Sequence, residues 1–189
     1  MEKVDIINQL KTNYGYTIKN FVSKEYYQLK GEGGWDSLSA NILETFLKLC
    51  QNTTKQLVVN NWSSYADSEY DKIYVFKYRG FRNGNEYGSS SKLSQHKVGN
   101  AIDFHVVGED PNITRSWIMS IGDKLPYNIR MESDVNWVHI DIGTSIKTKN
   151  VSNSDKSGRK SIDGGLDYVK KIFTNLRDNF GFKEIVIEN

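Results

Sequence analysis

The sequence predicts an α+β domain, a mainly antiparallel sheet with flanking helices. Three observations carry this. Two helical patterns precede the first strand-like run. Short strand-like runs then follow one another without regular crossover helices, which favours antiparallel pairing. The strongest of these runs, residues 101–107, alternates cleanly between two faces.

Residues 2–13 set Val4, Ile7 and Leu10 at helical spacing, and Gly15 follows as a stop. Gly31, Gly33 and Gly34 read as a turn before the next helix. No Gly-Lys-Ser/Thr follows them, as a phosphate-binding loop would need. That helix spans 37–51, with Leu38, Ile42, Leu43, Phe46, Leu47 and Cys50 on one face and Asp36 or Ser37 as its cap. Strands follow at 56–60 and 73–78, the latter β-branched and aromatic. Residues 79–91 are a long Gly/Asn/Ser-rich loop.

In the 101–107 strand, Ile102, Phe104 and Val106 face one way and Asp103, His105 and Val107 the other. Asp110-Pro111 reads as a cap plus first helical residue, opening a helix through Ile113, Trp117, Ile118 and Ile121 to about Lys124. Residues 127–132 and 136–142 are two further strands. In the second, Val138 and Ile140 face the core, and Trp137, His139 and Asp141 share the other face. Residues 1–148 form the domain. Residues 149–189 are a linker plus a helix, with Leu166, Val169, Ile172, Phe173 and Leu176 in helical register, and a strand at 185–187.

The 189 residues suit one domain of ordinary size, and 38% hydrophobic with 12% aromatic content suffices for a core. A net charge of +2 does not suit a nucleic-acid surface. No run approaches the ~20 apolar residues of a membrane span. The opening Met1-Glu2-Lys3-Val4-Asp5 lacks the layout of a signal peptide. The single cysteine, Cys50, excludes an intramolecular disulfide and sits among Phe46, Leu47 and Leu49 as a small core hydrophobe.

The chemistry concentrates in Ser94-Gln95-His96-Lys97-Val98-Gly99-Asn100-Ala101-Ile102-Asp103 and in Trp137-Val138-His139-Ile140-Asp141. If the two strands are neighbours, Asp103 and His139 point into one groove. His96 lies in the loop feeding the first strand, where Gly99 permits a tight turn. Two imidazoles and a carboxylate make a ligand set for Zn²⁺ with a fourth position for water. Fe²⁺ takes the same set. His105 is either a fourth ligand or a bystander. Asp141 either orients His139 by hydrogen bonding or is solvated.

The pattern Ser94-x-His96-x-x-Gly99-x-Ala101-x-Asp103 resembles the zinc D-Ala-D-Ala carboxypeptidase family, which includes D-Ala-D-Ala dipeptidases and phage L-alanyl-D-glutamate endolysins. Trp137-Val138-His139-Ile140-Asp141 is similar to its third-ligand strand in the carboxypeptidase-like branch. Gly80-Phe81-Arg82 is similar to its Gly-Tyr-Arg element. The resemblance covers residues 55–145. Residues 22–62 are also similar to phage-encoded relatives.

It implies a Hedgehog/DD-peptidase-like fold and one Zn²⁺ per chain held by His96, Asp103 and His139. It implies a peptidase that hydrolyses peptidoglycan stem peptides with metal-activated water. Arg82 would hold the substrate carbonyl or the developing oxyanion, and Ser94 would bind substrate or shape the loop. Made in the cytoplasm without a leader, such a protein would reach the cell wall by phage release or within a virion. Residues 150–189 are then a candidate segment for virion assembly or self-association.

One position departs from the family. Many members carry Glu or Asp three residues before the last histidine, and this chain carries Asn136. An amide cannot take a proton from water, and loss of a general base costs about 10²–10⁴-fold. Glu132 and Asp134 are the carboxylates at hand. The alternative expectation is therefore a catalytically lapsed relative that keeps the metal for stability or cell-wall binding, for instance as a virion component.

Overall fold

The computed structural model describes residues 1–64, 80–81, 94–132, 135–142 and 184–187. It has helices packed with an antiparallel sheet, an α+β architecture. The helices are α1 (Lys3–Tyr14), α2 (Lys24–Lys30), α3 (Ala40–Gln51) and α4 (Pro111–Ser120). The strands are β1 (Leu57–Val59), β2 (Ala101–Val106), β3 (Ile129–Glu132), β4 (Val138–Asp141) and β5 (Glu184–Ile187), ordered β1-β2-β4-β3-β5. The expected strand at 73–78 and helix at 166–176 lie outside the described residues.

α1 ends as its sequence dictates. Gly15 adopts φ 72°, and the Gly15 and Tyr16 amides donate to the Lys11 and Leu10 carbonyls. Its buried face differs from the expected one. Ile6 and Leu10 are fully buried, whereas Val4 is 61% exposed. The α3 cap also differs. Residues Gly31–Ser37 wind into a 3₁₀ turn that buries Trp35, so α3 starts later and Ser39 Oγ accepts the Ile42 amide. The predicted α3 face, Ile42, Leu43, Phe46, Leu47 and Cys50, is buried.

At the opening of α4, the Asp110 side chain accepts the Asn112 amide and Pro111 is the first helical residue. The buried face of α4 is Thr114, Arg115 and Ile118, while Ile113 is 60% exposed. Of the expected face, Ile118 and Ile121 are buried and Trp117 packs against the core, while the helix is turned so that Thr114 and Arg115 point inward rather than Ile113.

Phe46 on α3 joins helix to sheet. Its ring lies 5.6 Å from Phe104 on β2 and also meets Tyr16 and Phe21 edge-on. Around it Ile102, Val138, Ile140, Ile129 and Met131 supply the apolar face of the sheet. β5 pairs with β3 from Ile129↔Ile187 to Glu132↔Glu184, so the C-terminal strand belongs to this sheet.

Candidate metal centre

β2 and β4 are neighbours, and their register pairs Asp103 with His139 and Ala101 with Asp141. Directly opposed residues share a face. The alternation that turns Ile102, Phe104, Val138 and Ile140 into the core therefore turns Asp103, His139 and Asp141 together onto the other side.

His96 arrives from the 3₁₀ turn Gln95–Val98. That turn closes on Gly99 at φ 70°, where a Cβ would fall inside the Ser37 carbonyl oxygen. The Gly99 carbonyl accepts the Ser39 amide at 2.9 Å, and the Asn100 carbonyl accepts the Ile142 amide at 3.0 Å. The loop is thus fastened to the start of α3 and to the end of β4, and glycine is the residue that permits this approach.

His96, Asp103 and His139 are 7%, 6% and 7% exposed, and one ligand atom from each lies within 4.8 Å of the others. His139 Nδ1 is 2.7 Å from Asp103 Oδ1, and His96 Nε2 is 3.4 Å from Asp103 Oδ2. Ligands around a tetrahedral zinc lie about 3.4 Å apart. His96 Nδ1 is buried and has no hydrogen-bond partner among the described residues. A buried imidazole nitrogen without a partner is costly. The residues fit a metal: this buried triad could hold one ion.

A further chain of contacts steadies the set. His139 Nε2 lies 3.1 Å from Asp141 Oδ2, and Arg130 Nε donates to Asp141 Oδ1 at 2.9 Å. Asp141 thus sits where a carboxylate fixes the ring of a ligating histidine. Sequence reading gave Asp141 this option and missed Arg130, which becomes visible only once the β3–β4 register pairs it with Asp141.

The electrostatics follow. Burial pushes the Asp103 carboxyl up, but the His96 charge and hydrogen bonds from His139 and His96 outweigh it and hold the group well below the usual carboxylate range. Burial pulls His139 down, and the bonds to Asp103 and Asp141 reverse this, raising it to about 10. Burial raises Asp141, and His139 and Arg130 bring it lower overall. The two carboxylates thus favour the protonated form of His139, and a cation bound there would compete with that proton.

The remaining predicted residues separate. Arg82 and Asp134 lie outside the described residues. The segment leading into Arg82 is described. Gly80, at φ 82°, approaches the Phe21 carbonyl too closely for a side chain, and Phe81 exchanges backbone hydrogen bonds with Phe21 and Ser23. Asn61 Nδ2 donates to the Lys19 and Val22 carbonyls, and Trp62 Nε1 to that of Val22, bracing the stretch on which Phe81 pairs. Ser94 shapes its loop through the backbone, its carbonyl accepting the Lys97 amide, and its side chain makes no capping bond.

His105 stands outside the triad. Its Nδ1 is 2.9 Å from Asn60 Oδ1, and burial lowers its pKa. Asn136 is exposed. Glu132 is half-buried at the end of β3. Arg130 pairs with Asp141 and Met131 with Ile140, and Glu132 is the next residue of β3 beyond those two pairs. Ile129 and Met131 are fully buried, so Glu132 shares the face of Arg130, which is that of the triad. Comparison with protein-family models, curated proteins and solved structures finds no match for the chain.

Proposed function

We propose that this chain is a zinc-dependent peptidase of the D-Ala-D-Ala carboxypeptidase type, with a Hedgehog/DD-peptidase-like fold, acting on peptidoglycan stem peptides. The observation that carries the reading is the convergence of His96, Asp103 and His139 in one buried cluster. These are the three residues at which the sequence resembles the family's ligands. When bound there, zinc lowers the pKa of water to about 7 and polarises a carbonyl.

The chain's own residues supply the rest. Asp141, steadied by Arg130, orients His139. Glu132, on the face of β3 that also carries Arg130, accepts the proton of the attacking water in place of the carboxylate that Asn136 lacks. Arg82 holds the substrate carbonyl as negative charge develops on it. The protein acts on the cell wall, delivered by phage release or within a virion.

The test is hydrolysis of purified peptidoglycan and of synthetic stem peptides in the presence of zinc, read by mass spectrometry. The parent chain releases product, and Glu132→Gln lowers the rate about 10²–10⁴-fold. Equal release by the parent and by His96→Ala would defeat the reading.

The amide of Asn136, where many members of that family carry a carboxylate, favours a second reading, in which the chain binds metal and peptidoglycan without turnover. In that case the parent is inert, zinc is nevertheless bound, and Asn136→Asp brings hydrolysis.

A further inference from the structure

Arg115 stands on the first turns of α4, yet it is only 3% exposed. A buried guanidinium costs free energy unless its N–H groups are met. Here Nη1 donates to the Trp137 carbonyl at 2.7 Å, and Nη2 donates to the Val135 carbonyl and to Asn112 Oδ1, both at 3.0 Å. The two carbonyls flank Asn136, and Trp137 is two residues before His139. A planar fork that grips carbonyls two residues apart fixes the backbone between them. One guanidinium therefore sets both how β4 is entered and how Asn136 is turned outward.

We infer that Arg115 is a positioning residue of the metal centre: it fixes the 135–137 turn and through it the approach of His139 to His96 and Asp103. The inference rests on the metal centre of the proposed function and not on turnover there. Lysine keeps the charge but cannot fork, so Arg115→Lys separates the geometry from the electrostatics.

The test titrates the metal-free full-length chain with Co²⁺ and Zn²⁺. It reads the affinity by chelator competition and the visible absorption bands of Co²⁺, which report ligand geometry. Arg115→Lys is expected to fold, to weaken the affinity about 10–100-fold, the loss typical when a group supporting a metal ligand is removed, and to change the Co²⁺ bands. A purely structural arginine would lower the melting temperature and leave the bands as in the parent, and that result overturns the inference.

Should Arg115→Lys fail to fold, Asn112→Ala decides. It removes the exposed partner of Nη2 and is expected to weaken affinity several-fold with a smaller change in the bands. Parent-like affinity and bands overturn the inference. A parent that binds metal but hydrolyses nothing defeats the peptidase reading and leaves this inference standing. A parent that binds neither ion defeats both.

Discussion

The two faces of β2 and β4 are buried to almost the same depth for opposite reasons. On one face Ile102, Phe104, Val138 and Ile140 are 0–3% exposed, and on the other Asp103, His139 and Asp141 are 2–7% exposed. On the apolar face burial is itself the stabilising act, about 1.5–3 kcal/mol for each large side chain. On the polar face burial costs free energy, which only mutual pairing or a bound cation offsets. The same four-residue β4 serves both. Its core face sets the register, and the register brings the ligands together.

The sharpest way to break this contrast is on the apolar side. Phe104→Ala removes the ring that meets Phe46 and should cost about 3–5 kcal/mol. Its denaturant midpoint should fall by the corresponding amount with and without zinc, because the lost packing is independent of the ligands.

On the polar side the expected effect depends on metal. Zinc at about 100 times its dissociation constant should stabilise the parent by about 2.7 kcal/mol. His96→Ala should lose that increment, because one of the three ligands is gone. A His96→Ala chain stabilised as much as the parent would remove His96 from the centre.

Acidity gives a pair of effects of opposite sign. His139 titrates higher in the folded chain, about 10 against an ordinary ~6.5. Its contribution is complete below pH ~6.5 and is lost as pH rises through about 10. Asp103 and Asp141 titrate lower than usual when folded, so their contribution is present above pH ~4 and is lost as pH falls. The melting temperature of the metal-free chain should therefore be highest between about pH 4 and 6.5 and decline toward pH 10. The increment from zinc should grow over that upper range, because the metal competes with the proton on His139. A metal-free melting temperature that stays flat from pH 6.5 to 9.5 would contradict the assignment.

The smallest effect belongs to Ile113, which looks like a core residue in sequence and is 60% exposed. Ile113→Ser should change stability by no more than about 0.5 kcal/mol in the same denaturant melt.

Ile113 also shows what sequence periodicity misses. Of the expected series Ile113, Trp117, Ile118 and Ile121, the last two are buried, but Ile113 is exposed and α4 turns Thr114 and Arg115 inward instead. The polar members of that face are held by the 135–137 carbonyls and by Glu109 Oε1, to which Thr114 Oγ1 donates. Such partners are tertiary and leave no local signature. For the same reason Ser39 replaces Asp36 or Ser37 as the α3 cap. Trp35 and Leu38 enter the core and shift where the helix can begin.

Local chemistry was legible where it was self-sufficient. The Asp110-Pro111 cap, the Gly15 stop and the alternation of β2 all needed only neighbouring residues. The triad was legible because the motif names its residues, and Gly99 was legible as the hinge of the loop. Arg130 was not, since its partner Asp141 is fixed by strand register. Arg115 was hidden by the helix rotation. That Glu132 shares the sheet face of Arg130 and Asp141 followed only when β3 was found to pair with β4.

The most direct measurement is the metal stoichiometry of the purified chain, stripped with chelator and titrated with zinc. One zinc per chain is expected for the parent, and loss of that binding in His139→Ala, with both proteins folded by circular dichroism. A folded parent that takes up no zinc, or a His139→Ala chain that binds it as the parent does, would contradict the proposed metal centre.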